Sequence, residues 1–132
     1  MKTPAAPLVL VVEDGEETLE LVSSLLVEEG YRVATARNGC EALAQLDRTS
    51  LPAVILLDLA MPVMSGFEVA AILSRDPVLR SVPVLVCTAE PAQRLGTVEA
   101  VGYVPKPVDV DVLLREVARW AGPAAGQSQE TG

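Results

Sequence analysis

Continuous apolar runs alternate with helical periodicities along the whole chain. Leu8 to Val12 is the first run, and it ends in Glu13-Asp14-Gly15. An apolar run closed by turn residues predicts a strand buried on both faces. Leu19, Val22, Leu25 and Leu26 then recur at helical spacing, predicting a helix over about 16–29 that Gly30 stops. A weaker strand pattern covers 31–36, and Asn38-Gly39 opens a helix through about 47. The run at 53–57 predicts a third strand, with a helix over about 66–74 ending at Asp76-Pro77. Residues 82–87 read as a fourth strand and 101–104 as a short fifth. The last helix is expected over about 109–121, with Val110, Leu113, Leu114 and Val117 on one face.

Regular βα alternation implies a parallel sheet covered by helices on both sides, joined by right-handed crossovers. Five strands fit the doubly wound, flavodoxin-like order 2-1-3-4-5. The 132 residues suit one domain, expected over 7–121, between a flexible start at 1–6 and a flexible tail at 122–132 that is rich in Gly, Ala, Ser and Gln.

Composition narrows the classes. The net charge is −8 and Lys and Arg are scattered singly, which argues against nucleic-acid binding. No stretch approaches the roughly 20 apolar residues of a membrane span. The opening, Met1 to Pro7, is too short and Pro-rich for a signal peptide, so a cytoplasmic location is expected. There is no His, which removes the usual general base and zinc ligand, and the chain cannot itself carry a phosphohistidine. The two cysteines are too few for a disulfide framework. Cys87 reads as a small core residue.

The chemistry gathers at one edge. The run ending Ile55-Leu56-Leu57 delivers Asp58 to its carboxyl end, and Met61-Pro62 and Ser65-Gly66 break the chain soon after. A charge inside such a strand is costly, so a carboxylate at its end is placed to meet water, metal or substrate. In a parallel sheet, Glu13 and Asp14, Asp58, Thr88 and Lys106 share that edge. Carboxylates, a hydroxyl and an ammonium suit phosphoryl chemistry: hard oxygens take Mg²⁺, and a carboxylate can act as nucleophile to form an aspartyl phosphate. The alternative for Asp14, with Glu17 three residues on, is a helix cap.

The pieces Val-Val-Glu-Asp at 11–14, Leu-Leu-Asp-Leu-Ala-Met-Pro-Val-Met-Ser-Gly at 56–66, Val-Cys-Thr-Ala at 86–89 and Tyr-Val-Pro-Lys-Pro at 103–107 stand in order at strand ends. Together they resemble the receiver domain of two-component response regulators, over about 8–121. The resemblance implies that Asp58 accepts a phosphoryl group from a phosphohistidine on a histidine kinase or histidine phosphotransfer protein, to control a downstream protein. It implies that Asp14, Asp58 and the backbone carbonyl of Ala60 bind Mg²⁺ directly, with Glu13 acting through a metal-bound water. Lys106 would pair with phosphoryl oxygens, Thr88 would hydrogen-bond one of them, and Tyr103 would rotate with Thr88 as a switch. A cis Lys106–Pro107 bond is expected on the same ground. Such a chain is no enzyme beyond its own phosphorylation and dephosphorylation.

Two departures stand out. Glu13 replaces the commoner aspartate. The segment between Thr88 and Lys106 is about four residues shorter than usual, so a truncated or irregular fourth helix is expected over 91–100, with Gly96 in its middle. Two other readings compete. A phosphohydrolase of the haloacid-dehalogenase type also uses an aspartyl nucleophile, but it wants a second Asp where Ala60 stands. A phosphorylation-independent interaction module of the same fold would not need the acidic pair, the acceptor and the lysine together.

Overall fold

The computed structural model describes residues 6–48, 51–61, 64–89 and 99–124. Its elements in chain order are β1 (Leu8–Val12), α1 (Glu16–Glu29), β2 (Arg32–Ala36), α2 (Gly39–Arg48), β3 (Val54–Leu57), α3 (Gly66–Arg75), a 3-10 turn at Leu79–Ser81, β4 (Val84–Thr88), β5 (Gly102–Pro105) and α4 (Val110–Ala121). All strand pairings are parallel, in the order β2-β1-β3-β4-β5. This is the doubly wound, flavodoxin-like arrangement that the alternation of runs implies.

The sheet separates two cores through its period-two alternation. Leu10, Val12, Ile55, Leu57, Val84 and Val86 point to one face, where Ala42 and Leu46 of α2 and Val69, Ala70 and Leu73 of α3 cover them. Val9, Val11, Val54, Leu56 and Leu85 point to the other, under Leu19, Val22 and Leu26 of α1 and Leu113 and Val117 of α4. β3 and β4 are buried along their whole length. That is why their sequences are unbroken apolar runs and not alternating ones.

The helix ends follow local chemistry. Gly30 closes α1 in the left-handed conformation at φ 106°, its N–H bonded to the Leu26 and Val27 carbonyls, a geometry glycine adopts without steric cost. Ser65 caps α3 in a reciprocal box with Glu68, each side chain accepting from the other's backbone N–H. Asp109 caps α4, accepting from Val112 N–H at 3.2 Å.

Some expectations shift. Val110, placed by spacing on the buried stripe of the last helix, is 40 % exposed. It is the first residue of α4, at the rim, and the stripe begins only at Leu113. Residues 122–124, read as the start of the tail, lie against the domain. The Tyr31 hydroxyl donates to the Gly122 carbonyl at 2.8 Å, and Ala124 is buried in the α1–α4 core. The helix expected over 91–100 falls mostly on residues outside the described ones; Glu99 and Ala100, its last two positions, are not helical.

The start of α3 lies directly on the chain that follows β3. Gly66 N–H donates to the Leu59 carbonyl at 3.0 Å, and a Cβ at Gly66 would drive into the backbone of Asp58 and Leu59. Backbone cannot step aside as a flexible side chain can. Gly66→Ala is therefore expected to cost about 3 kcal/mol, read as a lower urea midpoint with an unchanged m-value.

Candidate functional site

The strand ladder continues one residue past the ends of β1 and β3, and this brings the acidic groups together. Glu13 N–H donates to the Ala36 carbonyl and Asp58 N–H to the Val12 carbonyl, both at 3.0 Å. On the far side, Lys106 N–H donates to the Thr88 carbonyl at 3.1 Å, one position beyond β5. Three segments, remote in sequence, thus deliver Glu13, Asp58 and Lys106 to one edge of the sheet.

Glu13 and Asp58 are 5 % and 4 % exposed, which is rare for carboxylates unless they are paired. Lys106 Nζ lies 2.7 Å from Glu13 Oε1 and 3.3 Å from Asp58 Oδ2. The other oxygens are held by main chain: Gly15 N–H donates to Glu13 Oε2 at 2.9 Å, and Ala60 N–H to Asp58 Oδ1 at 3.2 Å. Asp14 is exposed beside them. One carboxylate oxygen from each of Glu13, Asp14 and Asp58 falls within 4.8 Å of the others. A donor set of three hard oxygens at that span fits a small divalent cation such as Mg²⁺.

The charges respond to burial. Desolvation raises the Glu13 pKa above the ordinary carboxylate value, against the lowering effects of the Lys106 and Gly15 hydrogen bonds. For Lys106, desolvation acts downward, but the Glu13 hydrogen bond and the charges of Asp58 and Glu13 outweigh it and raise its pKa. The pair is attractive from both sides, yet for Glu13 burial remains the larger effect. Cys87, in β4 behind the site, is pushed up to about 11 by burial, so its thiol stays protonated.

Thr88 ends β4 fully buried, and Tyr103 in β5 lies half-buried against the α2–α3 core, in register with Val86. The Lys106–Pro107 peptide is cis.

Residues 9–118 match the family model of the response regulator receiver domain. The chain belongs to this family. It is 37 % identical over 122 residues to the polar-differentiation response regulator DivK of Brucella anthropi, an alignment that takes in 88 % of this chain and 97 % of DivK. Among solved structures it resembles the chemotaxis protein CheY4 of Vibrio cholerae, at 34 % identity and a TM-score of 0.80, covering 88 % of this chain and 99 % of that one. It also resembles response regulator TrrA of Thermotoga maritima, solved in complex with Mg²⁺–BeF, at 32 % identity and a TM-score of 0.77, covering 86 % and 98 %.

Within this receiver domain, the residues read from sequence as Glu13, Asp14, Asp58 and Lys106 do meet at one place, with Thr88 and Tyr103 on the two strands beside it. Asp14 does not cap α1: the N-cap is Gly15, with no side-chain cap hydrogen bond, because the helix begins one residue later than an Asp14 cap needs. Two supports went unread. The Gly15 amide that anchors Glu13 carries no side-chain signal. The Ser65–Glu68 box was visible as Ser-x-x-Glu ahead of an apolar run.

Removing the ammonium leaves Glu13 and Asp58 buried together without compensation. Lys106→Met is expected to destabilise the fold at neutral pH by about 2 kcal/mol. The raised Lys106 pKa fixes the sign on the alkaline side: with the carboxylates ionised, the ammonium's contribution is fully present below the ordinary lysine value and is lost as pH rises through the higher folded value. Stability curves of wild type and Lys106→Met, measured by urea unfolding across pH, should therefore differ at neutrality and converge at the alkaline end.

Proposed function

We propose that this receiver domain is a phosphorylatable switch in a two-component or phosphorelay system, with Asp58 as acceptor. The observation that carries the reading is a nearly buried carboxylate at the end of the central β3, beside an ammonium and within 4.8 Å of two further carboxylates. An Asp58 Oδ attacks the phosphorus of a phosphohistidine on a histidine kinase or histidine phosphotransfer protein. The P–N bond breaks, the electron pair leaves with the imidazole, and an acyl phosphate forms on Asp58.

Asp14 and Asp58, with the Ala60 carbonyl, would hold Mg²⁺ directly, and Glu13 would act through water. When bound, the cation supplies charge neutralisation for the phosphoryl oxygens. The donor set and the Mg²⁺–BeF complex of the similar TrrA support this assignment. Lys106, already 3.3 Å from the acceptor, meets the phosphoryl oxygens that the cation leaves exposed. The Thr88 hydroxyl donates a hydrogen bond to the same group, and Tyr103 follows it. Thr88 is tied to Lys106 through the main-chain bond between them, so a shift of the Lys106 backbone reaches the end of β4. The switch acts on a downstream protein in the cytoplasm, with no nucleic acid or membrane engaged directly. Ala60 stands where a dehalogenase-type phosphohydrolase has its acid/base Asp, which disfavours hydrolysis as the purpose of the site.

Intact mass spectrometry after incubation with acetyl phosphate tests this reading. One phosphoryl adduct is expected with Mg²⁺, none without it, and none in Asp58→Asn. An adduct that persists in Asp58→Asn overturns the acceptor assignment. Wild type that neither gains an adduct nor consumes donor points instead to a phosphorylation-independent module.

A further inference from the structure

This inference rests on the reading of Asp58 as acceptor and concerns the residue that controls the ammonium beside it. We propose that Glu13 is the positioning residue for Lys106: it, and not Asp58, holds the ammonium before phosphorylation.

The distances separate the two carboxylates. At 2.7 Å, Lys106 Nζ to Glu13 Oε1 is a full charge-assisted hydrogen bond. At 3.3 Å, the contact to Asp58 Oδ2 lies beyond the range of the strong ones. Glu13 is itself braced at three points. Its N–H is tied to the Ala36 carbonyl, its Oε2 accepts from Gly15 N–H, and its Oε1 takes the ammonium. Lys106 approaches from a main chain pinned to Thr88 and flanked by Pro105 and Pro107. Both partners are therefore built to meet.

The consequence is chemical. An ammonium bound tightly to Asp58 would stabilise the nucleophile's charge and would have to be displaced as phosphorus arrives. Held on Glu13, it stands next to the acceptor, ready for the phosphoryl oxygens, while Asp58 keeps its charge available. The additional methylene of Glu13 over an aspartate supplies the reach. With its backbone fixed by the Ala36 bond, an aspartate at 13 would fall short, and the ammonium would settle on Asp58.

Lys2 and Lys106 are the only lysines, so nitrogen NMR of ¹⁵N-lysine-labelled protein reads the pair with little overlap. In metal-free, donor-free protein, a slowly exchanging Lys106 ammonium signal, assigned by its loss in Lys106→Met, is expected in wild type. It should survive in Asp58→Asn and vanish in Glu13→Gln. In Glu13→Asp any remaining signal should depend on Asp58. Loss in Asp58→Asn, survival in Glu13→Gln, or no such signal in wild type overturns the proposal. A second readout addresses positioning: at saturating Mg²⁺, Glu13→Gln should phosphorylate from acetyl phosphate about tenfold more slowly when Lys106 is present and should cause no further loss in Lys106→Met. An unchanged rate, or an equal further loss in Lys106→Met, overturns the role. Because the ammonium signal is read without phosphorylation, its outcome is independent of whether Asp58 proves to be the acceptor.

Discussion

A parallel sheet places the same end of every strand on the same edge, and the whole site depends on that constraint. β1, β3 and β5 run in one direction, so the residues that follow them arrive together although 93 positions separate Glu13 from Lys106. The apolar runs are what make this possible. β1 and β3 are buried along nearly their whole length and cannot carry charge within it, so charge is concentrated just beyond their ends. The pairing bonds of Glu13 and Asp58 then extend the ladder by one step into the polar edge. Fold and site are in this sense one arrangement: the pattern that makes the core insoluble on both faces also dictates where chemistry can stand.

At that edge, electrostatics work against burial. Two carboxylates are nearly excluded from water around one ammonium, leaving an uncompensated negative charge. The upward displacement of the Glu13 pKa comes first from its burial, with the charge of Asp58 adding to it. A divalent cation is the natural complement, since three carboxylate oxygens converge within its coordination span. Burial in the same region keeps the Cys87 thiol protonated, so this sulfur is not a nucleophile at neutral pH.

Much of this was legible in the chain. The runs ending at Val12, Leu57 and Thr88 have a composition that only a doubly covered strand tolerates, and Gly30 stands where a left-handed closure is required. Asp58 and Lys106 were read from their positions just past strand ends that share one edge of a parallel sheet. What escaped was set by geometry that a linear pattern does not encode. The Asp14–Glu17 spacing mimics a cap, yet the helix is one residue out of phase and Gly15 takes the position. Val110 has the right spacing for the α4 stripe but lies at its rim. Gly122 and Ala124 look like linker, and only the approach of Tyr31 from the start of β2 draws them onto the core. Glu13 reads as a replacement for aspartate, and its 2.7 Å contact with Lys106 has no signal in the linear pattern.

The supports of the site are unequal on its two sides. On the β1–β3 side, Glu13 and Asp58 are tied by backbone ladder bonds, by the Gly15 and Ala60 amides, and by α3, whose capped N-terminus lies on Leu59 through Gly66. Any motion there would break several bonds at once. On the other side, Lys106 reaches the acid pair through a long side chain, and its main chain extends the β4–β5 ladder by the bond to the Thr88 carbonyl. A change in what the ammonium contacts is therefore resisted on one side and transmitted on the other. Under the proposed reading, a phosphoryl group on Asp58 offers Lys106 a new set of oxygens, and the compliant route from that contact runs into Thr88 and the neighbouring Tyr103. The acceptor side is held by main-chain ladder bonds and a capped helix, and a change in the ammonium's contacts enters the β4–β5 edge through the Lys106–Thr88 bond.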